Sequence, residues 1–204
     1  MTSVSQASQE TQRQAGLVVI VSGPPGSGKT TLATLLARQL RLPLFSRDTI
    51  KESLFDTLGW SDRQRSRELG VASVAVLFAL LADTLRAGAS CVTESNFRPE
   101  YANADFATLL TDTGARAIQV QCTTQGEVLL QRFVQRAAGT KRHPGHRDEG
   151  NLQEFRAELL AGRYEPLDVP GPVLIWDTTD FDAVSADDLG EQIAALITSH
   201  APPS

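Results

Sequence analysis

The chain has 204 residues, 41% hydrophobic and 21% charged, enough for one globular domain with a core of its own. A formal net charge of −5 argues against a general nucleic-acid binder, whose affinity rests on neutralising phosphates, but it allows a local basic site. Cys91 and Cys122, the two cysteines, each fall in an apparent strand and read as buried free thiols. No stretch approaches the length of a membrane span and the N-terminus lacks a basic-then-apolar signal, so the expected compartment is the cytoplasm.

Residues 1–15 are polar without apolar periodicity, which predicts a disordered tail before a single domain over about 16–200. Leu17 to Ser22 is an apolar, β-branched run and predicts the first strand. It leads straight into Gly23-Pro24-Pro25-Gly26-Ser27-Gly28-Lys29-Thr30, and Leu32, Leu35, Leu36 and Leu40 then recur at the spacing of a helix over 29–40. Strand, GxxxxGKT loop and helix together form a site for a nucleoside triphosphate. Glycines let the backbone wrap the phosphates, with N–H groups and a helix N-terminus aimed at the anion. Residues 23–31, Thr31 included, form this nucleotide-binding stretch; Lys29 reaches the β- and γ-phosphates and the Thr30 hydroxyl can ligate Mg²⁺.

A short strand near 43–46 and a helix from Asp48 to about Leu58 come next. Ser61 or Asp62 then caps a long helix reaching about Ala87, with Val71, Val74, Leu77, Phe78, Leu81 and Leu85 on one face. Further on the pattern predicts strand 90–94, helix 99–113, strand 115–122 and helix 125–137. A polar, basic loop over 138–150 precedes helix 151–163, strand 172–177 and a closing helix over about 185–199. Repeated β-then-α order implies a parallel sheet with helices on both faces.

Strand C-termini in such a sheet face the ligand crevice, which directs attention to the residues just beyond them. Asp48 and Lys51 share one side of the second helix. A carboxylate there can accept the proton of an attacking hydroxyl while the ammonium holds an anionic group; equally, Asp48 can simply cap its helix. Glu94 ends the third strand, where it can hold Mg²⁺ through water or bind substrate hydroxyls. Asn96 can orient substrate or cap helix 99–113. Arg132 and Arg136, four apart, share a face at the entry to the basic loop, and no Asp or Glu occurs between Val128 and Arg147. Such an unbalanced run in an acidic chain suits an anionic ligand, with a closing lid over about 132–150 stabilising a transferring phosphoryl group. In His143-Pro-Gly-His146 the histidines make an incomplete metal set, and a rigid turn placing His143 or His146 against phosphate or substrate is the better reading. Phe55, Trp60, Phe97 and Tyr101 can wall the acceptor pocket or belong to the core.

These pieces in this order resemble the small P-loop kinases: the kinase domain of polynucleotide kinase, chloramphenicol phosphotransferase, gluconate kinase and zeta-toxin-type enzymes. The Arg47-Asp48 pair with Lys51, the Glu94-Ser95-Asn96 and Pro99-Glu100 run, the Arg132/Arg136 pair and an RHPGH lid motif at 142–146 carry the likeness. It implies a three-layer αβα P-loop fold with a five-stranded parallel sheet of order 2-3-1-4-5, as in adenylate kinase, and ATP with Mg²⁺ as the donor system. By the same likeness Asp48 is the general base, and Lys51, Glu94, Asn96, Arg136, Arg142 and His143 face the substrate. Lys29, Arg132 and Arg136 stabilise the phosphoryl group. The expected reaction is transfer of the γ-phosphoryl group to a hydroxyl of a small molecule. A 5′-hydroxyl polynucleotide kinase and a nucleotide-dependent switch or regulatory ATPase are the alternatives.

Overall fold

Alternate residues of the first strand face opposite sides of the sheet, and both sides are buried. Strand β1 (Leu17–Ser22) is buried throughout. Val18 and Ile20 pack with Leu77, Leu81 and Phe106, while Leu17, Val19 and Val21 pack with Leu32, Leu36, Leu189 and Ile193. A strand apolar on both faces needs a helical layer on each side, and this chain supplies them.

The computed structural model describes residues 15–137, 139, 143–146, 152–183 and 185–199. After β1 come α1 (Lys29–Leu40), β2 (Leu44–Ser46), α2 (Arg47–Leu58), α3 (Arg63–Arg86) and β3 (Cys91–Glu94). The chain continues through α4 (Pro99–Thr113), β4 (Arg116–Thr123), α5 (Gly126–Ala137), α6 (Leu152–Ala161), β5 (Val173–Asp177) and α7 (Ala186–Ser199), with short 3-10 turns at Pro144–His146 and Phe181–Ala183. All strand pairs are parallel and the order is β2-β3-β1-β4-β5, the expected three-layer P-loop architecture. Helices α1 and α7 cover one face, α3 and α4 the other, and α5 packs on α6 through Leu129, Phe133 and Leu159.

Two expectations about α3 are corrected. Its buried side runs through Leu69, Ser73, Leu77, Leu81 and Leu85, whereas Val71 is 73% exposed. A 3.6-residue period that keeps Leu77, Leu81 and Leu85 inward turns position 71 outward. The helix is also long and apolar enough to cross a membrane by length and composition, with a mean hydropathy of 1.8 over its most apolar window, where the sequence reading expected no such stretch. Here Leu77, Leu81 and Leu85 sit in the core beside Phe106 and Ile20.

Cys91 and Cys122 are free thiols on opposite faces of the sheet. Burial pushes each up to about 12 from a usual 9.0. Between those values the folded chain binds more protons than the unfolded one, so both thiols favour folding below pH 9 and lose that contribution as pH rises toward 12. A thiol-specific reagent at pH 8 is expected to leave both cysteines unmodified in the native protein and to titrate both in denaturant.

Phe106 is fully buried, with edge-to-face contacts to Phe78 and Phe97 at centroid distances of 5.0 Å. Phe106→Ala is expected to cost about 3–5 kcal/mol in urea unfolding, because it leaves a cavity in the core beside Phe78 and Phe97.

Candidate active site

The loop after β1 is shaped by what it excludes. At Gly23 a Cβ would stand 2.7 Å from the Cys122 carbonyl oxygen, and at Gly28, the left-handed N-cap of α1, it would stand 2.5 Å from the Phe181 ring. The Ser27 amide donates to the Pro24 carbonyl at 3.2 Å, and the Ser27 carbonyl accepts from Thr178 Oγ1 at 2.7 Å. Ser27 Oγ is buried without a hydrogen-bond partner among the described residues. A bare, glycine-lined backbone with an orphaned hydroxyl at a helix N-terminus fits a phosphate chain. Pro25 and Gly26 complete the turn, and Thr30 and Thr31 open the exposed side of α1.

Register brings the acid to this loop. Glu94 pairs with Val21 of β1 and with Ser46 of β2 at the C-terminal edge of the sheet. Its carboxylate is 2% exposed and accepts from Ser46 Oγ at 2.5 Å and Thr30 Oγ1 at 3.3 Å. One carboxylate and two hydroxyls form a set of hard oxygens, which suits Mg²⁺. Lys29 lies buried beside them, its ammonium donating to the Pro24 carbonyl at 3.3 Å. Desolvation holds the Lys29 ammonium below the ordinary lysine range; the Glu94 and Asp48 carboxylates oppose that shift and the Arg136 guanidinium adds to it. The structure thus gathers Lys29, Thr30, Asp48, Glu94 and Arg136 within electrostatic reach of one another.

Asp48 sits in the first turn of α2, and the cap is Ser46, whose side chain accepts from the Thr49 amide at 3.3 Å. Asn96 does not cap α4 either; Arg98 occupies that position, with Pro99 opening the helix. Arg132 and Arg136 share a face of α5 but have different neighbours. Arg132 donates to the Thr178 and Thr179 carbonyls at 2.8 Å each, tying α5 to the end of β5, while Arg136 lies over the Phe133 ring.

A cavity of about 710 Å³ opens between α2, α3, α4 and α6, reaching Ser95 just beyond β3 and lined in part by Lys51, Asn96, Phe97 and Tyr101. Lys51 donates to Ser66 Oγ at 3.1 Å, and that hydroxyl donates on to the Gly145 carbonyl at 3.0 Å. Phe55 lies outside the lining, 1% exposed beneath the 143–146 turn. His143 stacks on it at 5.0 Å and His146 meets its edge at 5.4 Å. His143 Nδ1 accepts from the Gly145 amide, which leaves Nε2–H to donate to Asp56 at 3.2 Å; His146 Nε2 pairs with Glu52 at 2.8 Å. The two rings therefore take separate carboxylates of α2, and only His146 borders the cavity. Trp60 stands edge-on to His143. Arg142 lies outside the described residues.

Ser46, Ser66, Arg63 and Arg67 join the site without having been singled out in the sequence, and Arg47, quoted there only as part of the Arg47-Asp48 pair, joins it too. For Arg63 and Arg67 a signal was present: they are four apart on the first turns of a helix, as Arg132 and Arg136 are.

A family model described as AAA domain matches residues 18–161. The crystal structure of a candidate kinase from Chloroflexus aurantiacus J-10-fl superposes with a TM-score of 0.82 at 36% identity, covering 90% of this chain and 98% of that one. Cytidylate kinase of Pyrobaculum neutrophilum is 40% identical over 74 residues, 35% of this chain. The chain spans at most two fifths of the length of such curated relatives. The APS kinase of Mycobacterium tuberculosis in complex with AMPPNP and APS has a TM-score of 0.54 at 19% identity, covers 90% of this chain and 98% of that one, and shares the fold. The architecture is that of the small P-loop kinases.

A Cβ at Gly145 would meet the Phe55 ring at 2.7 Å. Gly145→Ala is expected to lift the 143–146 turn from α2 at a cost of about 1–3 kcal/mol. Thermal unfolding measures the loss, and faster amide exchange at His146 than in the parent locates it.

Proposed function

We propose that this chain, a member of the AAA domain family, is an ATP-dependent phosphotransferase that moves the γ-phosphoryl group of ATP to a hydroxyl of a small molecule, with Asp48 as general base. The observation that carries the reading is the bridge from Glu94 to Thr30 and Ser46 beside Lys29 and Asp48, at the edge where three strands end. The kinase descriptions of the Chloroflexus and Pyrobaculum relatives support it.

In this reading the amides of residues 23–30 hold the triphosphate and Lys29 neutralises its β- and γ-oxygens. Thr30, and Glu94 directly or through water, hold Mg²⁺, which when bound offsets phosphate charge and orients the chain. Arg136 adds positive charge on the side of the transferring group, and Arg132 fixes α5 against the end of β5. Because Ser46 serves the helix cap, Asp48 is not consumed by that role and receives the proton of the acceptor hydroxyl. The acceptor occupies the cavity lined by Lys51 and Asn96. Most of the barrier reduction comes from holding two substrates in line in a site that excludes water. The basic stretch at 132–150 is the proposed lid, and His143 braces it on α2.

Transfer of γ-labelled phosphate onto a panel of sugars, nucleosides, hydroxylated antibiotics and a 5′-hydroxyl oligonucleotide tests this. Label should appear on a small molecule, require Mg²⁺, and fall about 10²–10⁴-fold in kcat for Asp48→Asn with little change in ATP affinity. Label on the oligonucleotide would favour a polynucleotide kinase. Release of free phosphate unaltered by Asp48→Asn would overturn the general-base role and favour a regulatory ATPase.

A further inference from the structure

We infer that the acceptor is itself an anion, a small phosphomonoester whose phosphate is held between α2 and α3 by Arg47, Lys51 and Arg67. The inference rests on the phosphotransferase reading and names the substrate class of that site. The cavity draws Arg47 and Lys51 from α2 and Arg63 and Arg67 from the first turns of α3. Its two carboxylates are Asp105 and Glu158, and Glu158 is already engaged by the Arg98 guanidinium and by Tyr164 Oη at 2.8 Å. The wall built by α2 and α3 is therefore cationic in a chain whose net charge is −5.

A solvated basic face would spread such groups apart, and here Arg47 and Lys51 converge while Arg63 and Arg67 line the same cavity. Arg47 Nη2 and Lys51 Nζ lie 3.1 and 3.5 Å from the same point, the position a Cβ would take at Gly70. The missing side chain at residue 70 is what admits both cations to one spot. Arg47 Nε is buried without a hydrogen-bond partner, and no carboxylate among the described residues pairs with Arg47 or Arg67. A guanidinium N–H buried beside an ammonium with no acceptor of its own among the described residues suits an oxyanion, and a planar guanidinium fork suits phosphate. The dianionic charge of a phosphomonoester matches several cations better than a carboxylate does. A cavity of about 710 Å³ with Phe78, Phe97 and Tyr101 on its walls has room for the organic body that carries the acceptor hydroxyl.

The test is calorimetric titration of inorganic phosphate into the full chain saturated with Mg²⁺ and a non-hydrolysable ATP analogue, which occupies the phosphate loop. Acetate is the control. Saturable one-to-one phosphate binding is expected, at least about tenfold tighter than acetate and weakened about tenfold by Arg47→Gln and by Arg67→Gln, with analogue affinity unchanged. Arg67 is exposed on α3, so its variant keeps the test decisive if Arg47→Gln fails to fold. Absence of saturable phosphate binding, equal binding of acetate, or phosphate binding indifferent to Arg67→Gln would overturn the inference. The phosphotransferase reading fails separately. If the analogue does not bind, that reading is lost, while phosphate binding sensitive to Arg67→Gln still supports the anion site.

Discussion

Parallel strands end together, and the site follows from that constraint. With β1, β2 and β3 hydrogen-bonded in one direction, Ser22, Ser46 and Glu94 arrive at the same edge, and the chain must leave each strand there. The loop leaving β1 has glycines where side chains would strike Cys122 or Phe181, so its amides stay bare. The turn leaving β2 is capped by Ser46, which sets Asp48 in the first turn of α2. The exit from β3 delivers Glu94. Three segments far apart in sequence become neighbours through sheet register alone.

Burying a lysine and a glutamate at that edge is costly, and the structure shows how the cost is contained. Burial disfavours the Lys29 ammonium, while Glu94 and Asp48 restore part of its charged form. Glu94 receives two hydroxyl donors, Ser46 on one oxygen and Thr30 on the other. Removing one member would leave the other as an uncompensated interior charge, so these residues act as a unit. The orphaned Ser27 hydroxyl in the same loop marks a site whose polar groups are arranged for something other than each other.

Most of this frame was legible in the sequence, because strand alternation and the GxxxxGKT loop are local signals. Element boundaries fell within one or two residues at almost every strand and helix. What was illegible depends on tertiary neighbours. Nothing local tells whether Asp48 caps its helix; the cap falls to Ser46, whose hydroxyl serves both the Thr49 amide and Glu94. Asn96 was open in the same way until Arg98 took the helix start. Val71 carries the hydropathy of a core residue, yet it borders the cavity because α3 turns a different stripe inward. Phe55 and His143 form their own stack under Trp60, a pairing across nearly ninety residues that no local pattern encodes.

That stack also joins the two halves of the site. The segment 143–146 follows α5, which carries Arg132 and Arg136, whereas α2 and α3 wall the cavity. Ser66 stands where they meet: it accepts from Lys51 and donates to Gly145. A single hydroxyl therefore contacts both the turn and the Lys51 ammonium. His146 and Glu52 repeat the linkage one turn away, with Phe55 filling the space between. Because even a Cβ at Gly145 would stand 2.7 Å from the Phe55 ring, the turn has little room to carry a side chain there. Any motion that raises it must break the Ser66 and Glu52 contacts together, so the docking of the segment beyond α5 rests on α2 and α3 at once.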